Sequence, residues 1–233
     1  MRSAIVSGLL ALAALSGGRV FAEPAPESKG KHPISKNEKG HENIDWSIAY
    51  AFHFTDANKD LPRVLLVGDS ICGAYQDRVV KTLEGRVNVS YWVSSYAATS
   101  KNYMKFLDIY LTETQYEVIH FNNGLHALNT PKDVWEKRLR EVFDLIRKRQ
   151  PQAKVIWCSS TPLKDPSLTE KAKGLNAVAA KVAREFGFPV NDLFARLDPL
   201  DRNENWRDVY HHKGELVAQE AKWVSDAVLD VLK

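Results

Sequence analysis

The sequence predicts an α/β chain folded as a three-layer sandwich, a five-stranded parallel sheet between two layers of helices. Three observations predict it. Val64 to Val67 are apolar at every position with no in-out alternation, the mark of a strand buried on both faces of a parallel sheet. The run stops abruptly at Gly68-Asp69-Ser70, and residues at helix-like spacing follow to about Leu83. Beyond that, four more strand-like runs alternate with helical patterns to the end of the chain.

The elements follow in order. Residues 1–22 read as an export signal peptide rather than as fold: Arg2 is the positive start, Ala4 to Leu15 a short apolar stretch, and Val20-Phe21-Ala22 a small-residue cleavage site. That stretch is too short to span a membrane, so the mature chain is expected in a periplasm or outside the cell, with no stable membrane insertion. Residues 23–44 are polar and rich in Lys, Glu, Gly and Pro, and read as a disordered leader. The domain proper is expected over residues 45–233. Trp46, Tyr50, Phe52 and Phe54 suggest a segment laid over it before Pro62 and the first strand.

After Ser70, a helix from Cys72 to Glu84 ends before Gly85, a residue suited to the left-handed turn past a helix. A strand from Val87 to Trp92 leads to the loop 93–100, and a helix from Lys101 to Leu111 places Met104, Leu107 and Leu111 on one face. The strand Tyr116 to Phe121 opens into Asn122-Asn123-Gly124-Leu125-His126. The helix Pro131 to Arg149 has proline in its first turn and a stripe of Val134, Trp135, Leu139, Val142, Phe143 and Ile146. A strand over 154–158, a helix over 168–186, a short strand over 188–190 and a helix over 214–232 complete the alternation. No internal repeat is visible.

Composition narrows the function. Without Arg2 and Arg19 the formal charge falls from +3 to about +1, and no basic stripe with interleaved aromatics appears, so nucleic acid is not an expected partner. The two cysteines, Cys72 and Cys158, cannot build a disulfide framework and read as buried apolar residues, with a single bridge between them the alternative. No Cys/His spacing points to a metal, and no cofactor is implied. Oligomeric state is not legible.

Chemistry is expected where the loops after the parallel strands meet, because ligands of such sheets bind outside the strands' carboxyl ends. Ser70 stands there at a helix N-terminus, where free N–H groups and the helix dipole favour negative charge. A helix-capping serine is the plainer reading of that stretch alone. A nucleophilic serine needs a base, and the base an orienting acid. His211 and Asp208, three residues apart on one loop, supply both types, with His212 the alternative base. An oxyanion would need donors, available from the N–H groups of Ser70 and Ala97 and from a side chain on the loop 122–126.

This set resembles the SGNH hydrolases, the superfamily of Gly-Asp-Ser-containing esterases and lipases. Gly68-Asp69-Ser70 matches that family's first block and Asp208-Val209-Tyr210-His211 its final Asp-x-x-His block. The stretch from Val118 to His126 lies where its Gly-x-Asn-Asp block belongs, and the resemblance runs over about residues 61–230. It implies a flavodoxin-like sheet and a hydrolase in which Ser70, Asp208 and His211 are catalytic. It further implies an oxyanion hole of Ser70, Ala97 and His126, with Asn123 in reserve. Two departures stand out. Ala97 replaces the usual glycine of the second block, and His126 and Ala127 replace the Asn and Asp of the third. Neutral histidine can donate through one ring nitrogen.

Export and the resemblance together suggest a short-chain acyl group, acetyl above all, on a small ester or an acylated carbohydrate. The alternatives are an envelope O-acyltransferase of the same fold, or an inactive carbohydrate-binding domain. Among the bystanders, His120 reads as structural and Asp69 as holding the turn. Asn122 and Asn123 could serve only to tie their loop through side-chain to backbone bonds. Tyr75, Tyr96 and Trp206 could line a substrate site or sit in the core.

Overall fold

A computed structural model of the chain describes residues 45–50 and 60–233. The expected signal peptide (1–22), the whole of the expected leader (23–44), and Phe52 and Phe54 lie outside the described residues. The elements are β1 (Ser47–Tyr50), β2 (Arg63–Gly68), α1 (Ser70–Thr82), β3 (Asn88–Ser94), α2 (Tyr103–Thr112) and β4 (Val118–Phe121). A single 3₁₀ turn at Leu125–Ala127 precedes α3 (Lys132–Arg149), β5 (Lys154–Cys158), α4 (Pro166–Glu185) and β6 (Val190–Asn191). The chain closes with α5 (Leu193–Leu197), α6 (Arg202–Asn205) and α7 (Gly214–Leu232).

The strand order is β1-β3-β2-β4-β5-β6. The five strands from β2 onward are mutually parallel, as expected. The sheet nevertheless has six strands, because residues 47–50 pair antiparallel with β3, Ser47 opposite Ser94 and Tyr50 opposite Tyr91. That segment was expected to lie over the domain rather than in the sheet. All four of its residues are exposed at the sheet edge, so no burial pattern marks them as a strand. It is held by a hydrogen bond from Trp92 Nε1 to Ser47 Oγ and by stacking of Tyr50 on Tyr91.

Alternation along β2 sets the layers. Val64 and Leu66 enter a core with Ile71, Cys72, Tyr75 and Val79 of α1 and Val217, Ala221, Val224 and Val228 of α7. Leu65 and Val67 enter the opposite core, with Leu107 of α2, Trp135 and Phe143 of α3, and Ala179 of α4. Each face of β2 is thus covered, which is why its sequence shows no polar alternation. Both cysteines are free and buried, as two small apolar residues would be.

Local chemistry fixes the helix starts nearest the site. Asp69 caps α1, its carboxylate accepting the Ile71 N–H at 3.0 Å. Asp165 caps α4 through the Ser167 and Leu168 N–H groups, with Pro166 in the first turn. Gly68 is required by close approach, since a β-carbon there would lie 2.4 Å from Cys72 Cβ. The short helices α5 and α6 carry no periodicity in the sequence. Val134, expected on the buried stripe of α3, is instead 46% exposed, since it lies one position before the face that Trp135 and Leu139 bury. Among the described residues no helix is long and apolar enough to cross a membrane.

Candidate active site

The turn at the end of β2 and the loop between α6 and α7 meet at one edge of the sheet. Ser70 opens α1 there, and among the described residues neither its N–H nor that of Ala97 bonds to another backbone group. The opposing loop is a small hairpin. Trp206 bridges His212, the Arg207 N–H donates to the His211 carbonyl at 2.8 Å, and the Lys213 N–H donates to the Asn205 carbonyl at 2.9 Å. Two anchors tie it to the loop after β5. Trp206 Nε1 donates to the Pro162 carbonyl, and the Lys164 N–H to the Val209 carbonyl.

This hairpin brings His211 Nε2 within 2.8 Å of Ser70 Oγ, and His211 Nδ1 within 2.9 Å of Asp208 Oδ2 and 3.0 Å of Oδ1. The Asp208 carboxylate also accepts the N–H groups of Tyr210 and His211, both at 2.8 Å on Oδ1. Partial burial opposes its ionisation. The two backbone donors, the ring of His211 and that ring's charge outweigh it and hold the carboxyl well below the usual carboxylate range. An ionised Asp208 keeps the proton of a neutral ring on Nδ1 and leaves Nε2 to accept from the Ser70 hydroxyl. Such an arrangement can take a proton from Ser70 as its oxygen attacks an electrophile.

His212, the alternative base, is turned away from Ser70: its ring is buried 2.9 Å from Glu220. The expected donors fare differently. Ala97 needs no strained backbone, since positive φ occurs among the described residues only at Gly85 and Gly187. The Asn123 amide is used for the loop. Its oxygen accepts the Ala98 N–H at 2.9 Å and its nitrogen donates to the Tyr96 carbonyl at 3.0 Å, which shapes the segment carrying Ala97. Asn122 likewise ties its loop to the Cys158 carbonyl. His126 is half-buried in the 3₁₀ turn after β4. That turn begins at Gly124, where a β-carbon would lie 2.2 Å from Ser160 Oγ.

Other candidates are structural. Burial pushes His120 down to about 4, and its Nε2 faces Asn191 Nδ2 at 3.1 Å, so it is a neutral acceptor in the core. Tyr75 and Trp206 are core residues and line no open site. Tyr96, half-buried, packs on Phe106. Val209 and Tyr210, next to His211, are exposed, and in the sequence only their place inside the Asp-x-x-His block marks them.

No family model matches the chain, and no curated protein matches it in sequence. Solved structures do resemble it. A Slackia heliotrinireducens protein assigned to the SGNH hydrolases superposes with a TM-score of 0.58 at 13% identity, covering 72% of this chain and 98% of its own. An acetyl xylan esterase gives 0.60 at 16% identity, over 71% and 99% of the two chains. A GDSL-like lipase from Bacteroides thetaiotaomicron gives 0.57 at 17%, over 74% and 90%. The fold is that of the SGNH hydrolases. The two blocks by which the sequence resembles the SGNH hydrolases, Gly68-Asp69-Ser70 and Asp208-Val209-Tyr210-His211, are the two that meet across the Ser70–His211 hydrogen bond. The chain's departures from the SGNH pattern, Ala97 and His126, lie on the loops after β3 and β4.

Proposed function

We propose that the protein is an exported serine esterase of the SGNH type, acting on short-chain acyl esters, acetyl above all, carried by carbohydrate. The observation that carries the reading is the 2.8 Å contact between Ser70 Oγ and His211 Nε2, with Asp208 behind the ring. Ser70 attacks the acyl carbonyl and His211 takes its proton. Asp208 orients the ring and stabilises the imidazolium. The oxyanion is received by the N–H groups of Ser70 and Ala97 and the ring of His126. His211 returns the proton to the leaving alcohol, and water, deprotonated by the same ring, releases the acid from Ser70. The acyl and carbohydrate preference rests on the likeness to an acetyl xylan esterase, and export rests on the pattern of residues 1–22.

The test is hydrolysis of p-nitrophenyl acetate, longer p-nitrophenyl esters and acetylated xylan by the mature protein and by Ser70→Ala. Turnover that falls with chain length and vanishes in the variant, with an unchanged circular dichroism spectrum, is the expected result. Activity retained by Ser70→Ala would remove Ser70 as nucleophile. Preference for long acyl chains would overturn the substrate class.

A further inference from the structure

The esterase chemistry leaves one buried carboxylate unused. Glu220, on α7, is fully buried where that helix packs against α1. Its Oε1 approaches Nδ1 of His212 to 2.9 Å, off the line of a straight N–H···O bond. Among the described residues, Glu220 Oε2 and His212 Nε2 have no hydrogen-bond partner. On its other side the His212 ring meets Trp206 edge-on at 4.6 Å, and the two residues form the bridge that closes the hairpin.

Stability does not account for this pair. Two polar groups buried with few partners cost more than apolar groups of the same volume, and replacing such pairs by packed hydrophobic residues is often neutral or stabilising. Burial pushes the Glu220 carboxyl above its usual range, and His212 only partly offsets it. Registry does account for it. Successive side chains of an extended segment point to opposite sides, so a ring held inward at position 212 turns the ring at position 211 outward. His211 is the ring that meets Ser70.

We propose that Glu220 and His212 are positioning residues, an inward His–carboxylate pair that anchors the base loop so that the adjacent His211 stays in line with Ser70. This rests on the esterase reading of the Ser70 site. Neither residue would touch substrate. Both would act through the His211 backbone.

The decisive variant is the double substitution Glu220→Leu with His212→Phe, which removes both polar groups together and leaves no unpaired buried charge. It should melt no lower than the unaltered protein. Its kcat on p-nitrophenyl acetate should nevertheless fall about 10–100-fold, with KM changed less than about twofold, the size of loss that follows a displaced supporting group. Glu220→Gln, which keeps an acceptor for His212, should recover most of that kcat. A double variant whose kcat stays within about threefold of wild type overturns the proposal. Native-state hydrogen exchange on the same protein separates the two readings. The Arg207 amide, which donates to the His211 carbonyl, should exchange faster while the β2 and β4 amides are unchanged. Unchanged protection at Arg207 overturns the positioning role whatever the activity. If wild type hydrolyses no ester yet Arg207 exchange responds as described, the anchor stands and the esterase reading is what fails.

Discussion

Asp208→Asn tests the site most sharply, because the structure fixes how the new amide must sit. Both backbone donors, Tyr210 N–H and His211 N–H, converge on Oδ1 at 2.8 Å. The asparagine oxygen must take that place, so its NH₂ group takes the place of Oδ2, 2.9 Å from His211 Nδ1. A carboxylate that attracted Nδ1–H through two oxygens becomes one acceptor and one opposed donor. Two losses follow. The ring loses its bias towards the tautomer with a free Nε2, and the imidazolium loses its counter-charge. Charges about 4 Å apart attract by about 4 kcal/mol at an effective dielectric of about 20 and about 1 kcal/mol in bulk water. The Asp208 side chain is 45% exposed, which puts the electrostatic loss between those limits. At about 1.4 kcal/mol per tenfold that alone is roughly 5-fold to 10³-fold, and the tautomer loss adds to it. The expectation is a kcat lowered about 10²–10³-fold with KM little changed, measured on p-nitrophenyl acetate. The thermal midpoint should hold, since the turn keeps both backbone acceptor bonds. A kcat within about threefold of wild type would refute Asp208 as the partner of the base.

His126→Ala should lower kcat about 10²–10³-fold, the cost of one oxyanion donor, with the fold intact by circular dichroism. An unchanged kcat would take that role from His126. Gly68→Ala must push α1 off the end of β2, because its β-carbon would meet Cys72 Cβ at 2.4 Å; a loss of about 1–3 kcal/mol in urea unfolding is expected, and none would mean α1 shifts freely. His120 gives an acid limb to stability. Its folded value of about 4 lies below its ordinary 6.5, so the unfolded chain takes the proton first, and stability is full above about pH 6.5 and declines towards pH 4, by at most roughly 3 kcal/mol. Glu220, whose carboxyl is raised, acts with the opposite sign, losing its contribution as pH rises. The contrast between wild type and His120→Gln isolates the histidine: the variant's urea midpoint should be flatter across that window, and parallel curves would refute it.

What was legible in the sequence was whatever burial or spacing imposes on residue order. β2 must hide both faces, and Val64 to Val67 show it without a polar interruption. α7 must bury one stripe over nineteen residues, and its bounds, Gly214–Leu232, are those its periodicity predicts. β1 hides nothing, so residues 47–50 carry no pattern that could have declared a strand. The five- and four-residue helices α5 and α6 are too short for periodicity to emerge. The site divides along the same line. Asp208 and His211 were legible because a three-residue separation lets one turn return the carboxylate to both the backbone N–H and the ring of the same histidine. Asn123 stood in reserve as a donor, but the direction of an amide is set by its partners, here the Ala98 N–H and the Tyr96 carbonyl, on a loop distant in sequence. Tyr75 and Trp206 failed as substrate-lining candidates for the same reason: an aromatic beside a motif packs inward or outward according to neighbours that residue order does not name. The adjacent histidines hold both cases at once. At a bridge where side chains alternate, one of the pair must face inward and the other outward. Inward the imidazole meets a buried carboxylate on α7; outward it meets a serine at the N-terminus of α1 with an exposed carboxylate behind it. Identical side chains one residue apart thus take unlike places because of what each meets: His212 is buried against Glu220, whereas His211 reaches Ser70 from a partly exposed loop.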